Sequence, residues 1–445
     1  MRARVRTKIV AAAVTLAILA ATYGLLFVYF SYSVKQTPRA ENGFLDLTSC
    51  PLEDDGPVPL NGEWEFYPGK LLYPEDFAPS SVSAVSSEQI EVPGSWSDHM
   101  QTLGMATYRL QVKVSDPNSV YGLKTSSIQL SNRIMVNGQA AGQSGIPGER
   151  QSYQAVNQPY TSFFNLKPGW NDIIVHVANH EFPASSGINE PIYFGYAWQI
   201  SNLRDKALTH DWVSVTAFLI MGLYFIGLYT QRKNDVSLII LGLVFVCSAL
   251  FTSTRGERVL YAALGGYVPF WLYIRIQLLS AICVGLGLLL YVYSAFRPFC
   301  ARWLIRGGVA AGAVMTVAML FFFSWFEVGL FRQLVTLYAT FPLLYAIYVF
   351  VLAAFHKAEG SLYLAVAAVA LNVYALVQNA NVYFAVPVDS LPPFEPFVLL
   401  LMLALLMSLR FSNAFKKIEE LSVQLIKADK LKDEFLARTS HEFKS

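Results

Sequence analysis

Read for where apolar residues recur, the chain falls into four stretches of different period. Arg2, Arg4, Arg6 and Lys8 lead into an almost unbroken apolar run from Ile9 to Phe30. That is about the twenty residues a helix needs to cross a bilayer, and longer than the usual core of a secretory signal. A retained signal-anchor and a cleaved signal peptide are both compatible with the run, and its length favours the anchor. From Phe44 to Ile200 short runs alternate apolar with polar, as in Thr107–Val114, Ser127–Leu130, Arg133–Val136 and Asp172–Val177, and Gly, Pro, Asn and Asp break them up. Period-two alternation punctuated in this way predicts a β-sandwich. Asn137-Gly138 is a strong hairpin signal, Lys167-Pro-Gly-Trp170 reads as a turn feeding a strand, and the Ser- and Val-rich segment Pro79–Gln89 reads as a surface loop.

Seven further apolar spans follow: Trp212–Tyr229, Val236–Ser253, Phe270–Tyr293, Leu304–Phe326, Leu334–Phe355, Leu362–Phe384 and Phe397–Leu409. A helix satisfies its own backbone in lipid, so these predict a seven-helix bundle. Beyond it, apolar residues recur at Phe411, Phe415, Ile418, Leu421, Leu425, Ala428, Leu431 and Phe435, and neither Gly nor Pro interrupts the sequence from Phe411 onward. Steps of three and four averaging about 3.5 residues are the spacing of a coiled coil. A second copy would bury that seam, which predicts a parallel homodimer.

Composition agrees with this division. Hydrophobic residues make up 54% of the 445 and charged residues 14%, against about 25% charged in soluble chains, so much of the chain belongs in lipid. The length favours two or three domains. A net charge of +2 is too small to argue for nucleic acid, and there is no basic stripe carrying interleaved aromatics, so no nucleic-acid partner is expected. Cys247, Cys283 and Cys300 lie in or beside apolar spans, and Cys50 alone lies in the polar N-terminal region, so no disulfide can form there. The stretch Arg39–Lys206 is long enough to supply its own core.

Basic residues set the orientation. One set of loops holds Arg232 and Lys233, then Arg297, Arg302 and Arg306, then Lys357, then Arg410, Lys416 and Lys417; the opposite loops hold Arg255, Arg258 and Arg332. The expected arrangement is a multi-pass cell-membrane protein with the β-domain extracellular and the C-terminus cytoplasmic. Arg275, near the outer part of its span, is expected to snorkel toward the headgroups. Gly308 and Gly312 form a GxxxG expected to serve ordinary helix packing. No paired acidic residues stand at mid-membrane, which weighs against a proton-coupled transporter.

Four phrases in the β-domain carry a resemblance: Leu60-Asn-Gly-Glu-Trp-Glu-Phe-Tyr67, Val92-Pro-Gly-Ser-Trp96, Ala106-Thr-Tyr-Arg-Leu110 and Val136-Asn-Gly138. In that order they resemble a galactose-binding-like jelly roll, found in sugar-binding domains of some glycoside hydrolases. The same order occurs in the outer domains of bacterial seven-transmembrane receptors with diverse intracellular signalling modules. Ser186-Gly-Ile-Asn-Glu-Pro191 is similar to the latter. The resemblance implies a binding module for a small-molecule or carbohydrate ligand, with Trp96, Asn137, His180, Asn189 and Glu190 as candidates to line it. Against that stands the plainer expectation that Trp64, Trp96 and Trp170 fill the sandwich core while Asn137 turns a hairpin. Asn189 and Glu190, on a loop, carry more functional weight. His176 and His180 lack a third ligand nearby, so no metal is expected. Asp54-Asp55 reads as a solvated turn rather than a hydrolase pair.

The last residues, Lys432-Asp-Glu-Phe-Leu-Ala-Arg-Thr-Ser-His-Glu-Phe-Lys-Ser445, resemble the first dimerisation-helix motif of sensor histidine kinases. The resemblance implies that His441 is the phosphoacceptor that attacks the γ-phosphate of ATP, with Glu442 as the base beside it. An imidazole near its ordinary pKa is a usable nucleophile at neutral pH. Ser445 stands where family members often carry Thr or Asn, which leaves a phosphatase role unassigned. No cofactor is expected in this chain: ATP and Mg belong to a catalytic domain that the sequence does not contain, so a truncated chain or an interrupted gene is expected. Response regulator and lipid bilayer complete the expected partners.

The expected organisation is a cytoplasmic N-terminus and signal-anchor over 1–38, a jelly-roll ectodomain over 39–206 and a transmembrane bundle over 207–411. A coiled coil opening the phosphoacceptor helix occupies 412–445. The alternative reading is a membrane-anchored carbohydrate-binding receptor with no kinase role.

Overall fold

The structure is a computed structural model that describes residues 2–33, 37–77, 87–266, 268–322, 329–384 and 394–442. Helix α1 (Arg2–Ser33) precedes a β-domain, and long apolar helices follow it. Where the alternation is strongest, strands form. One sheet runs in the order β4 (Glu88–Val92), β3 (Gly62–Pro68), β5 (Gly104–Lys113), β11 (Trp170–Asn179), β8 (Ser131–Val136), β9 (Gln139–Ser144), with β1 (Phe44–Asp46) added in parallel to β5. The second sheet is β10 (Thr161–Asn165), β6 (Val120–Lys124), β13 (Tyr193–Tyr196), β2 (Val58–Pro59), and a small pair joins β7 (Ile128–Gln129) to β12 (Gly187–Ile188).

The sandwich core follows from the register. On β5, Tyr108, Leu110 and Val112 are buried, while Arg109, Gln111 and Lys113 on the opposite phase are not. Trp64, Phe66, Trp96, Tyr121, Leu123, Val175 and Phe194 join them in one buried cluster. Each such side chain contributes about 2 kcal/mol by leaving water. Asn137 and Gly138 take positive φ and close the β8–β9 hairpin, as expected. Residues 79–86 of the expected surface loop lie outside the described residues, and Glu88 and Gln89 at its end open β4. The expected core role of Trp170 is corrected: it is 44% exposed, because it opens β11 on the phase that faces away from the second sheet.

Among the described residues, six helices are long and apolar enough to cross a membrane: Val5–Tyr29, Ala197–Gln231, Val236–Ser253, Phe270–Phe299, Arg302–Phe321 and Gln333–Phe355, with a shorter apolar stretch at Ser361–Val377. The chain is therefore a membrane protein with a β-domain at one end of a helical part. The helices after the sandwich are α3 (Ala197–Gln231), α4 (Val236–Ser253), a short α5 (Val259–Ala263), α6 (Phe270–Phe296), α7 (Arg302–Phe321), α8 (Gly329–Phe355), α9 (Ser361–Phe384) and α10 (Phe394–Glu442). One turn, α2 (Leu52–Asp55), lies inside the sandwich and holds exposed Asp54 and Asp55. Residues 323–328, the end of the expected fourth span of the bundle and the turn after it, lie outside the described residues.

Helix α3 starts at Ala197, inside the stretch assigned to the sandwich from sequence. The signal is local: Gln199 Oε1 accepts from Tyr196 N at 3.0 Å and its amide donates to Leu52 O at 2.6 Å. Ile200 and Leu203 then bury against Tyr193 of β13. The thirty-five residues of α3 make about 52 Å of unbroken helix, long enough to pack on the second sheet and still cross a bilayer.

Small residues set the closest helix contacts. Gly222 and Gly242 let α3 and α4 touch backbone to backbone; a Cβ on either would lie 3.1 or 3.0 Å from the other's carbonyl oxygen. The expected GxxxG role is met within the chain: Tyr338 of α8 fills the notch at Gly312 and donates to Gly308 O at 3.0 Å, while Leu289 of α6 packs on Gly308. Arg275 turns back over the ring of Trp271, at 5.2 Å, toward the sandwich end of α6.

Candidate functional site

The tail is the simplest part to place. Helix α10 packs on α9 and α3 near its start and continues without a break to Glu442, so His441 and Glu442 lie in its last turn. The side chains of His441 and Glu442, and of all residues from 434 onward, lie outside those described; Ser445 does too. Where side chains are described, the seam faces water: Phe415 is 68% and Leu425 74% exposed, and Phe411, Ile418, Leu421 and Leu431 are exposed as well.

The expected ligand residues do not converge. Trp96 is fully buried between Phe66 and Tyr108, and its indole N–H donates to Gln101 O and Thr102 O. It has no face left for a sugar, so its expected place in the lining is corrected to the core. Asn137 is spent on its turn, donating to Asn171 Oδ1 at 2.8 Å and accepting from Asp172 N at 3.1 Å. His180, half-buried, meets Gly148 O at 3.0 Å, with its ring edge-on to Tyr153. Asn189 donates to Ser185 Oγ at 2.6 Å, and Glu190 beside it is half-buried. Leu130 packs toward the bundle on Phe270, and the backbone N–H of Asn189 donates to nearby Ser127 O. Asn137 lies seven residues along from Leu130, roughly 20 Å at strand spacing. Asn137 and Asn189 are thus at opposite ends of the sandwich. His176 and His180 face different carbonyls, and among the described residues no cluster could hold a metal.

Two arrangements had no sequence signal beyond strand phase. On the outward face of the larger sheet, Arg109 lies between Asp172 (2.8 and 3.0 Å) and Glu65 (3.2 Å), with Gln111 also donating to Asp172 at 2.9 Å. Above it the strap Lys70–Phe77 crosses the sheet. Thr107 Oγ1 donates to Lys70 O and accepts from Leu72 N, Phe77 stacks under the Arg109 guanidinium at 4.5 Å, and His176 Nε2 meets Leu72 O at 2.6 Å. Glu65 and burial push the Tyr67 hydroxyl up to about 12, burial being the larger cause.

Burial lowers the pKa of His176 below its ordinary value, against a smaller upward pull from the Leu72 carbonyl. A histidine lowered on folding adds stability above its unfolded pKa of about 6.5 and loses it as pH falls. Unfolding midpoints are therefore expected to drop between pH 7.5 and 5, with about one proton fewer in the slope for His176→Gln. Parallel slopes for the two proteins would show that His176 is not the group responsible.

The second arrangement is the turn between α4 and α5, which meets the sandwich. Lys124 Nζ of β6 lies 2.6 Å from Glu257 Oε1, with side-chain exposures of only 4% and 7%. Glu257 N donates to Asp211 Oδ2 of α3 at 2.7 Å. The Arg258 guanidinium donates to Asn157 O and lies 3.4 Å from Ser127 Oγ, both on the sandwich. On the bundle side, Tyr273 and Gln277 of α6 both donate to Thr254 O. Phe182 meets Phe270 edge-on nearby.

No family model matches the chain, and no curated protein matches it. Several solved structures do. A GH2 beta-galacturonidase from Eisenbergiella tayi bound to galacturonate is similar over 32% of this chain and 24% of its own, at 14% identity and a TM-score of 0.23. A beta-glucuronidase from an uncultured Clostridium covers 31% and 28%, at 18% identity and 0.24. A Ruminococcus gnavus beta-glucuronidase in complex with D-glucuronic acid covers 31% and 29%, at 16% identity and 0.24. The match thus spans under a third of each of these structures, and the β-sandwich described above rests on its own strand pairing.

Proposed function

We propose that the chain is the sensing and transmitting part of a two-component receptor. The jelly-roll sandwich faces outward and takes a small-molecule or carbohydrate ligand. A seven-helix bundle relays the change, and a dimeric coiled coil presents His441 for phosphorylation, with Glu442 as its base. The observation that carries this reading is α10: one helix that leaves the bundle, exposes an apolar seam to water and ends in the histidine motif. Basic loops favour the tail in the cytoplasm, where ATP is. The phosphate would come from ATP bound with Mg by a catalytic domain, and a response regulator would receive it from the histidine. For the ligand to signal, it must prefer one of two dimer arrangements.

The test joins a histidine-kinase ATP-binding domain in frame after Ser445 and supplies labelled ATP to membranes. Acid-labile label is expected on the chain and none on the His441→Gln variant. Label that persists in that variant removes the phosphoacceptor assignment. A tail reporter found outside the cell removes the signalling reading altogether and leaves a membrane-anchored binding protein.

A further inference from the structure

The helical connection through α3 could bend where the sandwich ends, and a bend there would absorb any movement of the sandwich. The turn at 254–258 lies across that point. It touches the sandwich through Lys124, Asn157 and Ser127, α3 through Asp211, and α6 through Tyr273 and Gln277. Its backbone is specialised for the position. Gly256 has φ +56°, and a Cβ there would overlap the Asp211 carboxylate. Arg258 takes φ +55°, a region that residues with side chains avoid unless their surroundings hold them in it.

We propose that the Lys124–Glu257 ion pair, seated on this turn, is a clasp that fixes the sandwich in one orientation on the bundle, so that movement of the sandwich passes into α3, α4 and α6. An ion pair this dry is poor at adding stability, because removing both charges from water offsets their attraction; its well-attested use is to set register. In the observed placement Lys124 and Glu257 meet at 2.6 Å. A shift of a few ångströms would pull two buried opposite charges apart, so orientations that separate them are disfavoured. The clasp holds whether or not the tail accepts phosphate, and it is tested separately.

The full chain, its four native cysteines replaced by serine, is placed in lipid nanodiscs with spin labels at Glu149→Cys on the sandwich and Leu264→Cys beside α5, both exposed positions. Pulsed electron resonance is expected to give one narrow distance distribution. Glu257→Gln or Lys124→Met should at least double its width, and the charge swap Lys124→Glu with Glu257→Lys should narrow it again. If the single variants do not fold, the apolar pair Lys124→Met with Glu257→Leu replaces them, and it too should broaden the distribution. A narrow distribution in a folded single variant or in the apolar pair overturns the clasp, as does a charge swap as broad as the single variants.

Discussion

Gly62→Ala is expected to destabilise the sandwich by roughly 4 kcal/mol, and Gly69→Ala by only about 1 kcal/mol. Gly62 opens β3 at φ +123°, and Ala40 passes against it as a parallel bridge. A Cβ at Gly62 would overlap Ala40 O and come within 2.5 Å of Ala40 N. These are the atoms that tie the strand down: Ala40 N donates to Asn61 O at 2.7 Å and Glu63 N donates to Ala40 O at 2.9 Å. To make room, the 40–41 segment must leave. Two backbone hydrogen bonds at about 1 kcal/mol each, and about 2 kcal/mol of strain at that φ, give roughly 4 kcal/mol. That is a large share of the 5–15 kcal/mol that typically separates folded from unfolded domains.

Gly69 is the control. Its φ is +72° but nothing lies within 4 Å of a Cβ there, so alanine pays only the left-handed backbone cost of about 1 kcal/mol. Fluorescence of buried Trp64 and Trp96 reports the difference in urea. Equal midpoints for the two variants would mean that the Ala40 contact contributes nothing to the fold.

The contrast between these glycines explains what the sequence disclosed. Alternation along one strand fixes which side chains point inward, so Tyr108, Leu110 and Val112 could be read as core, and Asn137-Gly138 as a hairpin. Apolar length fixed the helices in the same way. What one strand cannot disclose is which neighbour lies across from it. Glu65, Arg109 and Asp172 form a cluster only because β3, β5 and β11 are adjacent, and Lys124 meets Glu257 across 133 positions of chain, a pairing that no local period encodes. Trp96 shows the same limit: the sequence offered it both as a ligand candidate and as core, and the fold places it in the core between Phe66 and Tyr108. The start of α3 was hidden because Ala197–His210 is amphipathic rather than apolar and so did not stand out as part of a span.

The tail offers the other large effect. Leu421→Glu with Leu425→Glu is expected to convert a dimer of the full chain into monomers. Both leucines are exposed on a single copy, and they stand in the row that includes Phe411, Phe415 and Ile418. In a parallel pair four leucine side chains leave water together. At about 1.5 kcal/mol each the loss is about 6 kcal/mol, roughly ten-thousand-fold in dissociation constant, before repulsion between the new carboxylates is counted. Val423→Glu is the informative comparison. Val423 is also apolar and exposed, but at 100° per residue it sits on the face opposite Leu421 and Leu425, so the dimer should keep its mass. Sedimentation of the detergent-solubilised chain distinguishes the two. If the double variant sediments as the native protein does, the seam is not what joins the copies, and the bundle must be. If it becomes monomeric while Val423→Glu does not, the two α10 helices run side by side. Two copies of His441 would then be held at the same height on adjacent helices.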